Sequence, residues 1–135
     1  MKTKSILSQS EIQRVIAAAC TEAEKNHWAV SIAVVDDGGH PLALTRLDGC
    51  APIGAYIALE KARTSALGRR ESKGYEDMVN GGRNAFLSAP LLTSLEGGVP
   101  IIIEGQVIGA VGVSGVTSAQ DAQVAKAGAA CLSTE

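Results

Sequence analysis

The segment from Glu96 to Asp121, EGGVPIIIEGQVIGAVGVSGVTSAQD, restricts the possible folds more than any other part of the chain. It reads as two apolar strands joined by a Glu104-Gly105 turn and followed directly by a helix start. Glycines at 109, 112 and 115 strip the second strand of side chains. Something must then approach that backbone closely, either a helix or a ligand. The order strand, Gly-Val-Ser-Gly, helix also aims free N–H groups at a point ahead of the helix, where an anion would sit. Asp121 weighs against that second reading, because it already places a negative charge in the first turn.

The rest of the chain supplies matching layers. Ser8 with Glu11 forms a capping box, and Ile12, Val15, Ile16, Ala19 and Ala23 then repeat at helical spacing as far as Asn26. Trp28 to Val35 alternates large and small residues, as in a strand covered on both faces. Asp36-Asp37-Gly38-Gly39-His40 is a hairpin turn, and Pro41 to Leu47 is its partner strand, with Arg46 on the face of Leu42 and Leu44. Pro52 opens a helix that Gly68 closes. Its stripe of Ala55, Ala58, Leu59, Ala62 and Ala66 is flanked by Ile53 and Ile57, so it has two apolar faces, one for the sheet and one for another subunit. Tyr75 to Val79 and Arg83 to Ala89 read as short helices around Gly81-Gly82, and Leu91 to Leu95 as a further strand. Ser118 with Asp121 forms a second capping box, opening a helix that buries Ala122, Ala125 and Ala129. The result is a single domain of α/β (α+β) type spanning residues 1–135, an antiparallel sheet with helices on its faces.

Composition excludes several functions. A net charge of −2 lacks the positive footprint of a nucleic-acid binder, and aromatics are too scarce for single-strand stacking. Cys20, Cys50 and Cys131 have neither the spacing of a metal site nor the even number of a disulfide framework, and Cys20 and Cys131 read as small buried apolar groups. No metal motif such as H-x-x-x-H or H-E-x-x-H occurs, and C-x-x-C-H is absent, so any haem would be held non-covalently. The N-terminus has no apolar core of a secretory signal, and no run is long enough to span a bilayer. A cytoplasmic location is expected, with no membrane and no nucleic-acid partner.

Five residues carry candidate chemistry. His40 follows the hairpin turn, open to readings as a solvated turn residue, a general base or an axial haem ligand. Arg46, a charge on a leucine face, either pairs with Asp48 or Asp36 or grips a ligand carboxylate. Lys61 has apolar helix neighbours and should reach a carboxylate, its own or a ligand's. Ser114 and Gly115 border the helix start; Gly112-Val113-Ser114-Gly115 misses the nucleophile-elbow pattern because position 116 is Val116.

Asp36-Asp37-Gly38-Gly39-His40, Thr45-Arg46-Leu47-Asp48, Glu60-Lys61-Ala62-Arg63-Thr64, Glu96-Gly97-Gly98-Val99-Pro100 and Gly109 to Gly115 with Gln120-Asp121 together resemble the GlcG/HbpS family, over Leu7 to Ala130. Cys50-Ala51-Pro52-Ile53 and Pro90 to Glu96 resemble most its members from bacterial glycolate-utilisation loci. The resemblance implies a five-stranded antiparallel sheet with helices on both faces. It also implies homo-oligomers from dimer to octamer, and haem as a cofactor in some members, with a haem-degrading role. It makes His40 the first candidate ligand contact, with Arg46 and Lys61 behind it. The expected function is that of a small binding protein for an anionic small molecule, haem or a short hydroxy acid such as glycolate, accessory to glycolate-type metabolism. Two alternatives stay open: an enzyme on a small carboxylate with His40 as acid/base, and a structural partner of an oxidase complex.

Overall fold

The computed structural model describes residues 1–133. The elements follow the order α1 (Gln9–Lys25), β1 (Ser31–Asp36), β2 (Pro41–Arg46), α2 (Pro52–Gly68), α3 (Lys73–Asn80), a 3₁₀ turn (Asn84–Ser88), β3 (Gly98–Ile103), β4 (Gln106–Ser114) and α4 (Ser118–Ser133). The four strands form one antiparallel sheet in the order β2-β1-β4-β3.

The two faces of this sheet differ in size. In register across it, Ser31, Ala33 and Val35 of β1 stand opposite Ser114, Gly112 and Ala110 of β4, and the last two stand opposite Gly98 and Pro100 of β3. That face is nearly bare, and α2 packs on it through Ala58, Ala62 and Ala66. A methyl added at Gly112 would collide with the Ala58 carbonyl and lie 2.5 Å from the Ala62 nitrogen. One added at Gly98 would strike the Lys61 carbonyl. The glycine-spaced strand therefore admits a helix. The other face carries Ile32, Val34, Val99, Ile101, Val111 and Val113, which form the larger core with α1 and α4.

The local signals explain most boundaries. The Glu11 carboxylate accepts from the Ser8 backbone N–H at 3.0 Å and from its hydroxyl at 2.6 Å, which opens α1 as a capping box should. Glu104 and Gly105 both have positive φ, 52° and 77°, as a two-residue hairpin turn of the strand-matching hand requires.

Three expectations need correction. The sheet has four strands and not five, because Leu91–Leu95 is not a strand. Leu91 sits at φ 58°, the Thr93 N–H donates to Thr64 Oγ1 at 2.8 Å, and the Leu95 carbonyl accepts from the Ser72 hydroxyl at 2.5 Å. Side chains of neighbouring helices thus take the bonds a ladder would need. A register shift between Val34 and Val35 also bends β2, so Leu42 turns to the α1/α4 core and leaves the face of Leu44 and Arg46. Cys20 and Cys131 are only half-buried, and Cys50 is the buried thiol, 3.3 Å from Ser31 Oγ under the start of α2.

Close approach at Gly112 yields the first prediction. Gly112→Ala should cost about 2–3 kcal/mol in urea unfolding, because backbone on α2 has to give way. Gly74→Ala in α3, where a methyl would meet only Arg70 Cδ at 3.4 Å, should be neutral or stabilising by up to about 1 kcal/mol. Equal stabilities for the two variants would contradict the packing.

Candidate functional site

Arg46, Lys61, Ser114 and Gly115 lie at one end of the sheet, and His40 lies at the other. Arg46, Ser31 and Ser114 form a row across three strands at that end. His40 is at the far end of β2, roughly 15–20 Å away along the strand at about 3.3 Å per residue. The five candidates therefore do not converge on one notch within the subunit.

His40 is exposed, with 78% of its side chain open to solvent. Its Nδ1 lies 3.0 Å from Asp36 Oδ1, an oxygen that also accepts the backbone N–H groups of Gly38 at 2.9 Å and His40 at 3.0 Å. Asp36 thereby closes the β1–β2 turn, and the imidazole rests on it. A base beside a carboxylate is a familiar catalytic pair, but this one stands on an exposed turn.

Lys61 does reach a carboxylate, and it is the chain's own. Its Nζ donates to Asp121 Oδ2 at 3.0 Å and to the Val113 carbonyl at 3.0 Å, with both charged side chains 4% exposed. The lysine starts on α2, on one side of the sheet, and its partner stands in the first turn of α4, on the other. It passes over Gly97, where an added Cβ would lie 2.8 Å from Nζ and 2.7 Å from the Val113 oxygen. Gly97 itself has φ 133°. Burial pushes the Asp121 carboxyl above its ordinary value, while the Lys61 charge and hydrogen bond, and the Val116 N–H, oppose the shift.

That pair also fills the helix start. Asp121 Oδ1 accepts the Val116 N–H at 3.1 Å. Thr117 and Gln120 bond reciprocally, side chain to backbone, at 3.3 Å each. The capping box is thus Thr117/Gln120, one residue before the expected Ser118/Asp121, because Asp121 is drawn inward to the lysine. Of the N–H groups around the start of α4, those of Val116, Thr117 and Gln120 are met by side chains of the chain itself. Ser114 is buried beneath α2, and Gly115 (φ 148°) turns the chain against the Ala29 carbonyl.

Arg46 is different. Among the described residues it makes no ion pair, neither with Asp36 nor with Asp48. It borders a groove of about 400 Å³ between β2 and the outer side of α2, with Leu44, Pro52, Ala55, Tyr56, Leu59 and Glu60. Tyr56 is 74% exposed and projects from the helix. Tyr56 and Glu60 were not singled out from the sequence. Their signal was present in the second apolar face of α2, which holds Ile53 and Tyr56 on its open side. The groove joins a fixed positive charge to apolar walls and two oxygen-bearing side chains, which suits an amphipathic anion.

Removing one member of the Lys61–Asp121 pair should be costly. Lys61→Met is expected to lose about 3–5 kcal/mol at pH 7, by chemical denaturation, because a carboxylate is left buried without its counter-charge. The folded-state pKa of Asp121 then rises further above its unfolded value, so the native state binds the extra proton. The variant should gain stability as pH falls through that window and lose it as pH rises. Lys61→Met with Asp121→Leu should cost far less than the sum of the single changes. Additive losses would contradict the pairing.

Comparison with known proteins agrees with this architecture. A family model described as "Haem degrading protein HbpS-like" matches residues 7–130. Protein GlcG of Escherichia coli (strain K12) is 71% identical over 114 residues, 84% of this chain and 85% of that protein. The crystal structure of Klebsiella pneumoniae protein ORFY superposes with a TM-score of 0.89 at 30% identity, covering 100% of this chain and 97% of that one. A double mutant of Streptomyces reticuli HbpS superposes with a TM-score of 0.88 at 29% identity, covering 98% of this chain and 90% of that one. On the family match and the shared fold, the chain belongs to the HbpS-like family.

Proposed function

We propose that this chain is a small, homo-oligomeric cytoplasmic binding protein for an amphipathic anion, haem in the first instance, accessory to glycolate-type metabolism. The observation that carries the ligand reading is the Arg46 groove, where a guanidinium with no ion pair among the described residues borders apolar walls. A short hydroxy acid such as glycolate would use the charge but leave the apolar wall idle. Haem uses both, with a flat apolar body and carboxylates at its edge. The family description and the likeness to GlcG support haem and the metabolic setting respectively.

In this reading Arg46 holds a carboxylate of the haem, and Leu44, Pro52 and Leu59 bank against its apolar body and exclude water. Tyr56 would be the groove's oxygen donor for the metal, tyrosine being one of the residues that ligate haem iron, whereas the Glu60 carboxylate is already paired with Arg63. Bound haem supplies redox chemistry that the side chains lack. His40, at the far end of β2, lies outside this groove.

Haem should titrate the purified protein to saturation in the Soret region, and calorimetry with millimolar glycolate should show no saturable heat. Arg46→Ala should weaken haem binding roughly five-fold, about 1 kcal/mol at so exposed a site, and the difference should shrink in high salt. His40→Ala should bind as the parent does. The absence of any saturable haem signal from folded protein would remove the reading.

A further inference from the structure

The chain has one tryptophan, Trp28, and it lines a cavity that the function proposed above does not use. The cavity, of about 350 Å³, lies between the end of α1 and the end of β2, and its other walls are Glu24, His27, Ala29, Leu47 and Asp48. Backbone bonds set this frame. His27 adopts a left-handed conformation, φ 59°, and its N–H donates to the Glu24 carbonyl at 3.1 Å. The chain thereby reverses, and the Trp28 N–H donates to the Ala23 carbonyl at 2.9 Å. The Leu47 N–H donates to the Val30 carbonyl at 2.9 Å, which brings Leu47 and Asp48 beside Ala29. The indole is half-buried, packed against the α1/α4 core on one part and open to the cavity on another.

The fixed charges around this cavity have one sign. Glu24 and Asp48 line it, and no lysine or arginine does. Neither carboxylate makes an ion pair among the described residues. Lys25, the cation nearest in sequence, turns instead to Glu22 at 3.6 Å. The cavity also adjoins the C-terminal end of α1, where the helix dipole favours a cation. An anion is repelled here. A bare metal ion lacks a ligand set, because among the described residues no three His, Cys, Asp or Glu side chains come together as a metal site. Two separated carboxylates and an indole suit a larger cation, whose charge is spread over alkyl groups. An aromatic ring attracts such an ion electrostatically, tryptophan most strongly. Ala29 and Leu47 supply apolar surface for its methyl groups.

We infer that the Trp28 cavity is a second binding site, selective for a small organic cation with an alkylated ammonium head. Trp28 receives the head, and Glu24 and Asp48 offset its charge from the rim. The site shares no residue with the Arg46 groove and is opposite to it in charge, so neither reading depends on the other.

Because Trp28 is the only tryptophan, its fluorescence reports on its own site. Choline is the probe, titrated into the parent protein at constant ionic strength. It should give a saturable change in tryptophan fluorescence at millimolar concentration. The uncharged alcohol in which carbon replaces the ammonium nitrogen should give none. Glu24→Gln with Asp48→Asn should weaken choline binding roughly ten-fold, about two- to five-fold for each exposed carboxylate, with unfolding unchanged. Calorimetry of Trp28→Leu should show no saturable heat with choline. Should Trp28→Leu fail to fold, the carboxylate variant decides, since both of its substitutions fall on exposed residues. No saturable response in the folded parent, an equal response to the uncharged alcohol, or parent-like affinity in the carboxylate variant would each overturn the site. Haem titration of the parent is read separately, and its result leaves this inference where it stands.

Discussion

The fold depends on one close approach, that of the α2 backbone to a sheet face almost free of side chains. Gly98, Ala110, Gly112, Ala33 and Ser31 form that face, and at Gly112 even a methyl would collide with the helix. So short a separation dictates the helix's inner residues, which are alanine at 58, 62 and 66. It also governs Lys61. Emerging from a helix pressed this near the sheet, its side chain has a passage only past Gly97, and the passage ends at Asp121. The ion pair joins the α2 layer to the α4 layer across the end of the sheet. Its charges are held by geometry excellent enough to offset part of their desolvation: one lysine with two acceptors, one carboxylate with two donors.

This arrangement bears on where a ligand's charge could be met. A strand that ends in Ser114-Gly115 and runs into a helix has the backbone geometry of an anion site. Here Asp121 supplies the anion from within, and Thr117 and Gln120 cap each other's N–H groups. In the function proposed above, recognition falls to the opposite side of α2, whose outer residues keep their apolar surface and where Arg46 has no ion pair among the described residues. Two charges that look alike in the sequence thus have opposite fates. Lys61 is consumed by the architecture, and Arg46 is left available by it.

Much of this was legible in the sequence. Capping residues, the Pro52 and Gly68 limits of α2 and the two hairpins marked elements to within three residues, because each signal acts locally. The glycine spacing of β4 required close packing, and the partner proved to be a helix. What could not be read was long-range. Leu91–Leu95 has strand-forming residues, but hydroxyls of Ser72 and Thr64, distant in sequence, claim its backbone. Lys61 was expected to find a carboxylate, yet its choice of Asp121, 60 residues away, depends on the gap at Gly97. Within the subunit His40 and Arg46 stand apart for a simpler reason: neighbours on one strand can lie at its opposite ends. Tyr56 and Glu60 escaped notice because nothing local distinguishes a helix face turned to a ligand from one turned to water.

The central claim is that recognition occurs at the α2/β2 groove and neither at the α4 start nor at the hairpin turn. Amide and side-chain shift mapping of isotope-labelled protein, titrated with diamagnetic zinc protoporphyrin, tests it most directly. The account predicts saturable shifts at Leu44, Arg46, Tyr56 and Leu59, with Val116, Asp121 and His40 unmoved. Shifts centred on Asp36 to His40 or on Gly115 to Asp121, with the groove silent, would contradict it.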